Sequence, residues 1–318
     1  MTNAPVQEPR AQHYIPRPYL KGFTDSKQTL WVYERFKAPR GSKPKHEANR
    51  PDYYTHFEHG ERDETAEDVL KDIESVVAPI VRKLANPEYE LTEENAAKLY
   101  MFVASLFARV PSWRSYMNEA VADMARRIQQ RGAQEREKFH RWCADFEQKT
   151  GRPLPVTYEE LRQFVIKGDY TIEQASNAYN LGMMFKSAIT VAKELATFAC
   201  EILYAPQGHV FITSDAPVFT VRPDGSGQAE IGMGFGWRGV EVYLPLNKRA
   251  CLRLRRDVAP CAIEISERGV QQINGAVMAT AERYIYSSEG YRRIGRLFDE
   301  RGCKIQPGKH SFLTKPPL

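Results

Sequence analysis

The stretch Thr29-Leu30-Trp31-Val32-Tyr33-Glu34-Arg35 decides how this chain is put together. β-Branched and aromatic side chains fill it, as suits a pleated, half-buried strand. The segment 19–23 just before it reads the same way. The other strand-like segments come only after residue 205: 209–213, 218–221, 240–244, 250–254, 262–266 and 284–286. Whatever pairs with Trp31 and Tyr33 must therefore return from the far end of the chain.

Between these ends the period changes from two to 3.6. Val69, Leu70, Ile73, Val76, Val77, Ile80 and Leu84 share one helical stripe. Pro79 sits inside it, removes a donor and clashes one turn back, so a kink near Ser75 is expected. Thr92 caps a second helix whose stripe is Leu99, Phe102, Val103, Leu106, Phe107 and Val110, ending near Pro111. A polar helix is expected over 112–148, stopped by Gly151, Pro153 and Pro155. Thr157 with Glu160, and Thr171 with Gln174, match capping boxes that begin two more helices, the second reaching about residue 203. Helices close the chain at 270–282 and 291–299.

Strands, then helices, then strands imply an α+β fold: a mostly antiparallel sheet formed by the N-terminal and C-terminal thirds around an inserted helical block. A single domain over 1–318 is expected. Its parts are N-terminal strands at 12–60, the helical block at 61–205, C-terminal strands at 206–290, and a terminal helix and tail at 291–318.

Composition narrows the class. The chain has 318 residues, 42% of them hydrophobic and 27% charged, which is ordinary for a globular protein and argues against wholesale disorder. No apolar run is long enough to span a bilayer, and residues 1–10 lack the apolar core of a secretory signal, so a cytoplasmic setting without membrane contact is expected. Five widely spaced cysteines (Cys143, Cys200, Cys251, Cys261, Cys303) read as reduced thiols. A net charge of +5 does not by itself imply nucleic acid.

Several constellations could carry chemistry. His13, among Tyr14, Ile15, Pro16 and Tyr19, would have its pKa moved by burial or a carboxylate, as in a general base; a core histidine bound to a backbone carbonyl is the plainer account. Arg17, held between Pro16 and Pro18, could be aimed at an anion. Thr213-Ser214-Asp215 ends an apolar strand, where carboxylates are often presented, although an Asp two residues before Pro217 also closes an Asx turn. Ser214 has no Gly-x-Ser-x-Gly elbow. Glu74 and Arg109 flank the two early helical stripes and could form a partly buried ion pair. His56-Phe57-Glu58-His59 is not a His-Glu-x-x-His zinc motif. Gly225, Gly227, Gly232, Gly234 and Gly236 mark a long glycine-rich connection around Met233. Arginines 253 and 255 share a strand face that could track phosphates beside Arg292, Arg293 and Arg296, or simply be solvated.

The opening His13-Tyr14-Ile15-Pro16, with Tyr19, Leu20 and Phe23, resembles the Domain of Unknown Function family 4238. The strand at 30–33, Tyr54-Thr55, Ile73-Glu74, Phe107-Ala108-Arg109-Val110-Pro111, Thr213-Ser214-Asp215-Ala216-Pro217, Leu244-Pro245-Leu246, Asn274 and Tyr284-Ile285-Tyr286-Ser287 follow in that family's order. Ala216 departs from it, standing where the family has Asn. The resemblance carries no activity, but it implies that His13, Glu74, Arg109, Ser214 and Asp215 belong to one catalytic site, with Arg17, Tyr54, Arg253, Arg255 and Asn274 binding substrate. That inventory suits acid–base or divalent-metal-assisted hydrolysis of a phosphodiester, hence a nucleic-acid-directed hydrolase of nuclease, defence or toxin type. The alternatives are a non-catalytic nucleic-acid- or protein-binding module, and a small-molecule hydrolase or transferase using the same pocket.

Overall fold

The computed structural model describes residues 10–58, 60–173, 177–223, 229–232 and 234–302. His59, Gln174, Gly225, Gly227, Met233, Cys303 and the side chain of Arg301 lie outside the described residues. The chain opens with β1 (Ala11–His13), the short helix α1 (Arg17–Lys21), β2 (Leu30–Glu34), β3 (Arg40–Ser42), a 3-10 turn at Pro44–His46 and β4 (Asn49–Pro51). The hairpin β5 (His56–Glu58) and β6 (Glu61–Asp63) leads to α2 (Thr65–Lys83) and α3 (Glu93–Arg109). Then come α4 (Pro111–Gln134), α5 (Arg136–Thr150), α6 (Tyr158–Lys167) and α7 (Asn177–Leu195). The remainder is β7 (Ala199–Tyr204), β8 (Thr213–Ser214), β9 (Phe219–Pro223), β10 (Ala229–Ile231), β11 (Glu241–Pro245), β12 (Ala250–Arg255), β13 (Cys261–Glu264), α8 (Glu267–Thr280), β14 (Tyr284–Ser287) and α9 (Arg292–Gly302).

The fold is α+β, and the chain divides into two compact units: residues up to 112 together with those from 181 onward, and residues 113–180. In the first unit the ends of the chain do meet. Strand β14 pairs antiparallel with β2 on one side and β8 on the other, giving the four-stranded order β3-β2-β14-β8. A six-stranded sheet, β10-β9-β11-β12-β7-β13, is built from strands between residues 199 and 264 and is antiparallel except where β13 runs parallel to β7. The first and last thirds thus share one sheet, and the second takes in β7 from the end of the expected helical block. One core of Tyr33, Phe211, Ile212, Phe219, Tyr243, Val277, Ile285 and Phe298 joins both sheets to α8 and α9.

The second unit is helical. Phe139, Cys143 and Ala133 are packed by Leu154, Tyr158, Leu161 and Val165. Thr157 and Glu160 form the expected reciprocal box at the start of α6, and left-handed glycines end two helices, Gly151 (φ 65°) after α5 and Gly168 (φ 75°) after α6.

Four expectations need correction. Segment 19–23 is not a strand: Pro16 at the N-cap and Pro18 in the first turn begin α1, where proline's missing N–H costs nothing. The helix expected from Thr171 is α7, Asn177–Leu195, which starts later and does not reach residue 203, because Cys200-Glu201-Ile202-Leu203-Tyr204 lies in β7 between β12 and β13. A strand buried on both faces has no alternation to distinguish it from a helix. The polar helix 112–148 is two helices parted at Glu135. Segment 209–213 keeps only Thr213 in a strand, since Asn274 takes the place of a partner strand there, accepting from Ile212 N (3.1 Å) and donating to Val210 O (2.9 Å). Pro79 lies within α2, which continues through it; the residue whose carbonyl loses its donor, Ser75, is exposed.

Candidate functional site

The site begins with alternation along β1. Gln12 points inward and is buried, while His13 is half-buried. Gln12 Nε2 donates to Thr55 Oγ1 (3.0 Å) and to Glu67 Oε2 (2.7 Å), and its Oε1 accepts from Tyr54 N. One buried amide thereby joins β1 to the turn before β5 and to the first turns of α2. His13 is set beside that clamp.

His13 Nε2 lies 3.2 Å from the Lys45 carbonyl oxygen. A carbonyl only accepts, so Nε2 carries the proton and Nδ1 keeps its lone pair. Nδ1 has no partner among the described residues. Burial lowers the pKa of this imidazole; the Lys45 carbonyl opposes that, Arg17 adds to it, and Glu74 and Glu67 oppose it. The ring is therefore held towards its neutral form with one nitrogen ready to take a proton.

Helices α2 and α3 pack together and bring Glu74 to Arg109 at 2.7 Å, the expected ion pair. The Arg109 side chain is fully enclosed, and its Nε and Nη2 have no hydrogen-bond partner among the described residues. Buried donors are almost always paired, so these two call for a polar partner such as an enclosed water. Tyr54 completes the group. Its hydroxyl donates to the His13 carbonyl (3.4 Å), and burial raises its pKa far above the phenol range against the pull of the Arg109 charge. His13, Glu74, Arg109 and Tyr54 thus come together, with Arg17 exposed beside them.

Ser214 and Asp215 do not join this group. Ser214 is buried in β8, its Oγ accepting from Ala216 N (3.2 Å) as in a local turn. Asp215 is 3% exposed and accepts three backbone amides: Glu282 N (2.9 Å), Arg283 N (2.7 Å) and Tyr284 N (2.9 Å). Burial pushes its pKa up to about 7 against those amides. Its charge acts on Tyr14 and Tyr286. This carboxylate fastens β14 to the segment after β8; it is closed to solvent.

Three of the expected binding residues, Arg253, Arg255 and Asn274, are likewise engaged. Arg253 and Arg255 share a face, as alternation required, and both grip the buried Glu201: Arg253 Nε at 2.8 Å and Arg255 Nε at 2.6 Å. Burial acts to raise the Glu201 pKa, but the two arginines outweigh it and hold the carboxyl below its usual range. Asn274 is spent on the 210–212 backbone.

Among the described residues no three His, Cys, Asp or Glu side chains gather to hold a metal ion. Asp215 and Glu74, the two carboxylates of the implied catalytic site, face the amides of 282–284 and Arg109 respectively, so this donor set does not fit a divalent ion. His56 lies in β5. The described cysteines are free thiols, three buried and Cys261 exposed. No described helix is long and apolar enough to cross a membrane.

Glu67, Gln12 and the Lys45 carbonyl were not foreseen. Only Glu67 left a trace in the sequence, lying seven residues before Glu74 and so on the same helix face. No curated protein and no solved structure matches the chain. A family model described as protein of unknown function (DUF4238) does match, over residues 11–290, and the chain belongs to that family.

Proposed function

We propose that the chain is an acid–base hydrolase of phosphodiesters, with His13 as the base. The observation that carries this reading is the imidazole tied through Nε2 to the Lys45 carbonyl with Nδ1 unpartnered, beside Glu74, Glu67 and Arg17. In the step, Nδ1 takes a proton from water as its oxygen forms a bond to phosphorus. The bond from phosphorus to the leaving oxygen breaks, that oxygen takes a proton from solvent, and the imidazolium later returns its own. Arg17, exposed and close enough to act on His13, would balance the phosphate charge. Arg109 would orient Glu74, and Tyr54 would brace the His13 backbone. Ser214 and Asp215 have no part in the step.

Nucleic acid is the substrate this reading favours within the phosphodiester class, entering at Arg17 and not along the Arg253–Arg255 face, whose two guanidinium groups are both held by Glu201. The test is turnover of bis(p-nitrophenyl) phosphate and of labelled single-stranded RNA and DNA by the purified chain and by His13→Gln. Loss of a general base lowers the rate about 100-fold or more. An unchanged rate in the variant, or no turnover of any of these substrates by the parent, would sink the reading.

A further inference from the structure

A hollow of about 420 Å³ lies far along the chain from the His13 group, bounded by α8, α9 and the 208–212 segment. That volume falls within the range of small-molecule sites. Val270, Met278 and Ile294 give it an apolar floor. Glu289, from the turn before α9, also lines it.

Glu289 is half-buried, and its carboxylate makes no hydrogen bond or ion pair among the described residues. Burial raises its pKa, with only the more distant charges of His209 and Lys248 opposing. Lys248 is itself donating to the Thr24 carbonyl (3.0 Å). The other charged groups at the rim are already provided for: His209 stands 3.7 Å from Glu267, and Arg293 is exposed to solvent. A charge that water reaches freely selects little, whereas a half-desolvated, unpaired one favours any ligand able to neutralise it.

We propose that this hollow binds a small amphipathic amine, its apolar body on the Val270–Met278–Ile294 floor and its ammonium on the Glu289 carboxylate. The test is calorimetric titration of the full chain with hexylamine, hexan-1-ol and hexanoate as probes. Hexylamine should bind saturably, at least about 10-fold more tightly than hexan-1-ol, since a charge-assisted hydrogen bond carries that much, and hexanoate should bind most weakly. Glu289→Gln, which keeps the side-chain shape, should cost hexylamine about 10-fold or more. Gln271→Trp, at the exposed mouth, should block it without touching Glu289. Equal binding of the three probes, no saturable hexylamine binding, or parental affinity in either variant would each overturn the assignment.

Discussion

Arg109 and Glu74 meet at 2.7 Å across α2 and α3, and the two ends of the pair are unequally sheltered: the arginine side chain has no exposed surface, while the glutamate keeps 20%. Removing the carboxylate strands a buried cation; removing the cation leaves a carboxylate that water already touches. Glu74→Gln should therefore cost about 3 kcal/mol in urea unfolding, and Arg109→Met distinctly less. The double variant should cost less than the sum of the two, because the charge stranded in one is absent. Equal single losses that simply add would show that the pair is not coupled.

Asp215→Asn tests the closed layer. Asparagine offers one accepting oxygen where three amides now point, and turns an NH2 group towards donors. A loss of about 3 kcal/mol is expected by chemical denaturation. A variant as stable as its parent but catalytically dead would instead place Asp215 in the chemistry.

The protonation of His13 gives a signed dependence. Its folded pKa lies below the ordinary histidine value of 6.5, so the unfolded chain binds the proton more readily. Its contribution to stability is present above pH 6.5 and is lost as pH falls through the folded pKa. Imidazole resonances should titrate below 6.5, and the midpoint of that titration should match the acid limb of any phosphodiesterase activity. A titration above 6.5 would contradict the burial described here.

The Glu201 clamp predicts what the two strand arginines are for. Arg253→Ala combined with Arg255→Ala leaves a buried carboxylate unpaired and should destabilise the chain by about 3 kcal/mol. If the same change weakens RNA binding steeply with salt while leaving unfolding untouched, the face is a phosphate track after all.

Much of the helical part was legible, because amphipathic stripes and caps are local signals. The Thr92 cap and the Thr157–Glu160 box stand as the spacing predicts, and Leu70, Val77, Ile80 and Leu84 of the stripe expected in α2 are buried, although its members Val69 and Val76 are exposed. The Glu74–Arg109 pair was legible for a related reason, since both residues flank stripes that must face each other. Gln12 was not: its partners Thr55 and Glu67 are distant in sequence, and nothing in a Gln beside a His announces a clamp. Asp215 shows the same limit. A local turn with Pro217 was one natural account of it, but the amides that hold it belong to residues 282–284. Short-range chemistry can be read from spacing; long-range partners are chosen by topology.

The placement of β14 between β2 and β8 sets the order of assembly. During synthesis the Trp31–Tyr33 segment leaves the ribosome long before its neighbour at 284–287 exists, and until then one flank of β2 has open backbone groups. Such distant pairing slows folding, and the waiting flank is the natural seat for a chaperone or for self-association. A nascent chain halted after residue 205 should be held by chaperones or aggregate, and one carried past residue 290 should be released.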